Sequence, residues 1–155
     1  MKFSLNSNRD GHLTAALFVG ATVMTAGFFT SSEAVQLAGA VVPVWELIAS
    51  PDMDIPTRRV RGSFARRAWV TFWKPFARVV AHRSPLSHSL LWGLPCRAAY
   101  VLALPVAVLL LSGWTMMELW AIALQWWPVL LGMAIADAVH MAKDGYGIVN
   151  VIFGR

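Results

Sequence analysis

The chain has 155 residues, a length that fits one domain. It is 57% hydrophobic and only 14% charged, whereas soluble domains sit at roughly 45–50% apolar and about 25% charged, so the balance excludes an ordinary soluble globular domain and predicts an integral membrane protein. The net charge of +5 does not read as nucleic-acid binding, because eight of the 13 basic residues fall between Arg58 and Arg83, beside apolar segments, in the positive-inside pattern of a cytoplasmic loop.

Leu13 to Phe29 is free of charge and long enough for a short span. Lys2 and Arg9 before it, with Ser32-Glu33-Ala34 after it, imitate a signal peptide. Cleavage there would discard His12, so the reading keeps the segment. Ala34 to Ala49 is a second apolar stretch with Gly39 and Ala40 as small surfaces for close helix approach. Ser50-Pro51 closes it, since the residue before proline avoids the helical region. Glu46 inside it pairs with a neighbouring helix, snorkels, or serves as a base.

Residues 57–83 form a basic segment in which Phe64, Ala68, Trp69, Phe72, Trp73, Phe76, Val79 and Val80 recur at helical spacing. That pattern predicts an amphipathic interfacial helix with its apolar face in lipid, kinked or divided at Pro75. Its cations would attract anionic lipid head groups. A third span runs from Leu86 to Trp114, cleanest from Ala98 to Leu111, and Leu119 to Met141 returns as a fourth helix. Gly145-Tyr146-Gly147 reads as a helix C-cap and turn. The expected fold is all-α: a single polytopic membrane domain over 1–155 with about four transmembrane helices and the interfacial helix. The eight tryptophans suit the bilayer–water boundary.

All four histidines lie in polar clusters: Gly11-His12, Ser50-Pro51-Asp52-Met53-Asp54, His82 to Ser89, and Asp137 to Asp144. With four crossings, every cluster falls at one membrane face, the same face as the basic segment. His140 and Asp144 are four apart and share a helix stripe at about 6 Å, with Asp137 three before His140. Asp137 either reaches a metal, takes a proton, or pairs with Arg97. Asp52 and Asp54 can share a cation, or one can ligate while the other orients a histidine. Cys96 is the only cysteine, so any ion is held by nitrogen and oxygen. Such a donor set suits zinc, and also iron, nickel or manganese. With this many candidate ligands, one or two ions fit. Arg83 reads either as a phosphate-binding cation or as one more basic anchor. No serine-nucleophile motif, phosphate loop or dinucleotide fingerprint is present.

The ordered set Gly11-His12-Leu13, Pro51-Asp52-Met53-Asp54, His82-Arg83 with Ser87-His88-Ser89, and His140 with Asp144-Gly145 resembles the small bacterial membrane-bound metal-dependent hydrolases of the YdjM type. It is similar also to related metal-binding membrane proteins carrying Ser-Pro-Asp-x-Asp and His-Arg-Ser-x-x-Ser-His. The resemblance covers Gly11 to Gly147. It implies His12, Asp52, His82, His88, His140 and Asp144 as metal ligands, with Asp54 bound to the ion or just outside it. The hydrolase branch usually has Gly-x-Thr between the histidines of the third motif, where this chain has Ser84-Pro85-Leu86-Ser87, which sets it nearer the metal-binding branch.

The sequence thus predicts a zinc-type centre at the cytoplasmic face of a bacterial inner membrane, hydrolysing a phosphoester. In this scheme Asp54 or Asp137 is the proton acceptor and Arg83 the substrate contact. The alternative is a non-enzymatic membrane protein stapled by its metal, which binds a lipid or protein partner through the basic amphipathic segment.

Overall fold

The structure is a computed structural model that describes residues 5–54 and 64–154. Seven α-helices follow in order among these residues: α1 Leu5–Phe29, α2 Glu33–Ala49, α3 Phe64–Val79, α4 Gly93–Leu111, α5 Met116–Gln125, α6 Trp127–Lys143 and α7 Ile148–Phe153. A single 3-10 turn, Pro51–Asp54, follows α2. No strand occurs among the described residues, and the all-helical expectation holds.

Helix α2 is central, packed between α1 and α6. Its buried face is Ala38, Gly39, Val42, Trp45, Glu46 and Ala49, a stripe at three- and four-residue spacing. Small residues set the separation. A Cβ on Gly39 would lie 2.4 Å from the Met24 nitrogen, and one on Gly132 would lie 2.5 Å from the Ala38 carbonyl oxygen. The backbones of α1, α2 and α6 therefore approach more closely than any larger residue permits, the packing that membrane helices favour. Ser32 starts α2 by accepting from the Val35 N–H at 3.4 Å.

Three segments are long and apolar enough to cross a membrane: Gly11–Phe29, Glu33–Met53 and Gly93–Leu111. The fourth helix expected from Leu119 to Met141 is instead two, α5 and α6, bent by 65° at Trp126. Pro128 is the cause, because it has no N–H to give and its ring excludes the carbonyl one turn back. The third span is likewise shorter than its sequence suggests, with turns occupying residues 81–92 before α4.

Helix α3 runs through Pro75 without a break, and its apolar face turns inward. Trp73, Phe76 and Val80 are buried in the core. Trp69, Phe72, Trp73 and Phe76 stack on one another, and the last three also meet Tyr100 of α4 at ring separations of 5.0–5.2 Å. Such tilted and edge-on pairs add to the burial of the rings themselves. This corrects the expected placement of the whole apolar face in lipid: most of it is spent on α4 and the core. Residues 55–63, including Arg58, Arg59 and Arg61 of the basic segment, lie outside the described residues.

The end of α6 is a Schellman motif, as the glycine pattern suggested. Gly145 takes a φ of 84°, its N–H reaches the Ala142 carbonyl at 3.1 Å, and the Tyr146 N–H reaches Met141 at 3.0 Å. Helix α7 then returns to the turns before α4. The Leu90 and Leu91 N–H groups donate to the carbonyls of Val151 and Ile152 at 2.9 and 3.1 Å.

Candidate metal centre

Four backbone devices bring the polar clusters together. Helix α1 carries His12, which is 3% exposed. Ser50 ends α2 at φ −58°, ψ 157°, the extended shape imposed by Pro51, and the 3-10 turn that follows delivers Asp52. In the third cluster the Ser84 carbonyl accepts from the N–H groups of Ser87 and His88 at 2.9 and 2.8 Å, so His88 sits on a tight turn. Helix α6 supplies His140, and Asp144 sits at its C-cap.

The donor atoms of Asp52, His88, His140 and Asp144 all lie within 4.8 Å of one another. The His140 Nε2 is 3.7 Å from Asp52 Oδ1 and 3.6 Å from Asp144 Oδ2. The His88 Nε2 is 3.8 Å from the same Asp52 oxygen. His12 joins the edge of this group, with its Nε2 3.1 Å from Asp144 Oδ1 and its ring stacked on His140 at 4.1 Å.

The 3.6–3.8 Å separations of His88 and His140 from the carboxylates are long for hydrogen bonds and suited to a shared ion. Ligands about 2.0–2.1 Å from a tetrahedral zinc stand about 3.4 Å apart. The His140 Nε2 is buried and makes no hydrogen bond among the described residues, a costly state that a bound cation would relieve. The chemistry of the donor set agrees, since imidazole and carboxylate without thiolate is a common zinc combination. The residues present therefore fit a divalent transition metal.

Two neighbours engage Nδ1 of the buried histidines, as ligation through Nε2 needs. His140 Nδ1–H donates to Glu46 Oε1 at 3.0 Å, which leaves Nε2, facing the carboxylates, as the nitrogen that would meet an ion. Such a carboxylate–histidine pair orients the ring and raises its basicity. On the other side, His88 Nδ1 lies 2.8 Å from Ser87 Oγ. Ser87 has one hydroxyl proton, and the carbonyls of Ser84 and Ala81, at 3.1 and 3.3 Å, can accept it. Directed there, it leaves the oxygen to accept from His88 Nδ1–H, the tautomer in which Nε2 carries the lone pair. The Tyr146 ring stacks on His88 at 5.9 Å.

Of the residues singled out in the sequence, Asp52, His88, His140 and Asp144 converge as one group, with His12 beside it. His82 is exposed and meets His88 ring edge to face at 5.2 Å, outside the converging atoms. Arg83 is exposed in the left-handed region at φ 60°. The Asp54 side chain lies outside the described residues. Asp137 is fully buried, with Oδ1 accepting from Trp45 Nε1 at 3.1 Å and Oδ2 paired with Arg97. It is not among the converging ligand atoms, and of the roles open to it in the sequence the pairing with Arg97 is the one present. Glu46, whose carboxylate converges with His12 and His140 as a second group of possible ligand atoms, is the candidate that spacing alone did not assign. A carboxylate in an apolar helix demands a partner, and that demand was its visible signal.

Comparison with curated proteins found no match, nor did comparison with solved structures. A family model matches residues 9–150, from before His12 to beyond Asp144. Its description is metal binding, so the resemblance noted in the motifs holds for the metal and not for YdjM-type hydrolysis specifically. The chain belongs to the family described as uncharacterized metal-binding protein (DUF2227).

Proposed function

We propose that this protein is an integral component of the bacterial inner membrane that holds a zinc-type ion at the cytoplasmic surface and hydrolyses a phosphoester there. The observation that carries the catalytic part is unequal exposure within the cluster. The side chains of His88 and His140 are 0% and 1% exposed, whereas that of Asp52 is 38% exposed. A centre closed on its histidine side and open on one carboxylate edge matches sites that admit substrate, since structural sites enclose their ion fully.

The membrane part is supported by apolar surface. Leu102, Leu104, Val108 and Leu111 of α4 are exposed, as are Met116, Met117 and Trp120 of α5. Apolar patches that extensive mark contact with lipid or another protein. The cytoplasmic orientation rests on the basic density between Arg58 and Arg83.

When bound, the ion supplies Lewis acidity to a phosphoryl oxygen and to the attacking water. His12, His88 and His140 give nitrogen, and Asp52 and Asp144 give oxygen. Glu46 keeps His140 in its ligating tautomer. Arg83, on its exposed turn, attracts the phosphate. Asp54, on the 3-10 turn that carries Asp52, takes the proton. Lys74 and Arg78, both exposed on α3, draw anionic lipid head groups towards the site.

A second reading is favoured by a different observation. The ligands come from α1, the 3-10 turn, the turns before α4, and α6, so an ion there cross-links most of the fold. A protein stapled in this way and lacking catalysis would serve as a lipid- or protein-binding platform. Metal analysis of the purified wild type, His88→Ala and His140→Ala, with turnover of a chromogenic phosphodiester, separates the readings. Metal with turnover that both substitutions abolish supports the hydrolase. Metal without turnover favours the staple, and a wild type without transition metal sinks both.

A further inference from the structure

Arg97 is fully buried on α4, a helix whose only other buried residue is Gly93. Its guanidinium donates to two groups from different segments, the Ser87 carbonyl and Asp137 Oδ2. Asp137 accepts at its second oxygen from Trp45 Nε1, 3.1 Å away. Each of the three partners stands next to, or one helical turn from, a residue of the metal centre. Ser87 precedes His88 and bonds its Nδ1 through Oγ. Asp137 lies one turn before His140 on α6. Trp45 precedes Glu46, which holds His140 Nδ1.

The glycine beside this node is required by it. A Cβ on Gly93 would stand 2.8 Å from the Ser87 carbonyl oxygen and 3.3 Å from Arg97 Nη1. Only glycine lets that carbonyl reach the guanidinium. Meanwhile a buried ion pair seldom adds net stability over apolar residues of equal volume, because desolvation cancels most of the attraction. Inside an apolar helix the cost is greater still. Its presence calls for a reason other than cohesion.

The geometry points to Arg97, with Asp137 and Trp45, as a positioning node that sets the distance between His88 and His140, and so the coordination geometry of the metal. Arg97 is suited to this because its planar fork engages two acceptors in fixed directions, which a lysine point charge does not. The node touches no ligand atom; it acts through the segments that carry them. This inference rests on the metal-binding reading.

The test uses the full chain in detergent with Co2+ alone as the probe, whose d–d absorption reports coordination geometry. A double variant, Arg97→Met with Asp137→Leu, removes both charges together and avoids a stranded buried ion. Expected is a folded protein by circular dichroism and gel filtration, with Co2+ affinity lowered about 10–100-fold, the range for groups that orient ligands, and with displaced d–d bands. A folded double variant with wild-type affinity and bands overturns the proposal. If the double variant does not fold, Trp45→Phe decides. This change deletes only the indole N–H contact and a little volume, and displaced bands are expected; unchanged bands overturn the proposal. Failure of the wild type to bind Co2+ would instead be a failure of the metal-binding reading.

Discussion

Glu46 and His140 meet between α2 and α6, with the carboxylate 3.0 Å from Nδ1 and both side chains buried. The contact joins a helix–helix interface to the candidate metal centre, because it engages Nδ1 of His140 and leaves Nε2 for the cluster. Glu46→Gln retains size and one acceptor but removes the charge that raises imidazole basicity. Metal affinity is expected to fall about 10–100-fold, measured by competition with a chromogenic chelator. An unchanged affinity would show that Glu46 serves only to join the helices.

Because the candidate ligands arise from separate segments, metal binding is expected to be linked to fold stability. Chelation is expected to lower the thermal midpoint in detergent, and zinc to restore it. At free metal about 1,000-fold above its Kd the stabilisation amounts to about 4 kcal/mol. His88→Ala should remove the response to chelator. A midpoint indifferent to chelator in the wild type would contradict the linkage.

The close approach of α1 and α2 makes Gly39 sensitive. Gly39→Ala puts a methyl 2.4 Å from the Met24 nitrogen, backbone that cannot step aside, and should destabilise by about 1–3 kcal/mol. Gly147, with nothing within 4 Å of an added Cβ and a φ of −72°, is the control. Gly147→Ala should change the midpoint little. Comparable losses at both sites would remove the packing argument.

Topology can be read by labelling single cysteines in a Cys96→Ser background. If α5 and α6 form one bent crossing, Ser31→Cys and Ser112→Cys react with an impermeant reagent from outside the cell. Asn150→Cys reacts only after the membrane is opened. Labelling of Asn150→Cys in intact cells would place the metal centre on the outer face.

The gathering of the metal centre was legible because this chain spends so few polar residues. His12, Asp52, His88, His140 and Asp144 stood out against apolar surroundings, and counting helices put them at one end. The partner of Glu46 was not legible. It depends on the relative rotation of α2 and α6, which close backbone packing at Gly39 and Gly132 sets and which no local spacing encodes. The same holds for α3. Its amphipathic pattern reveals an apolar face but not what covers it, and Tyr100 covers much of it. The bend at Trp126 had a visible cause in Pro128, yet hydropathy summed over the stretch conceals a change of direction.

The carbonyls of Val151 and Ile152 hold the N–H groups of Leu90 and Leu91, and this contact bears on biogenesis. During synthesis His12 and Asp52 emerge early and His88 later, and the N–H groups of Leu90 and Leu91, just after His88, gain their partners only once α7 has been made. The candidate ligands are therefore all synthesised, ending with Asp144, before the segment that holds the chain just after His88 in place.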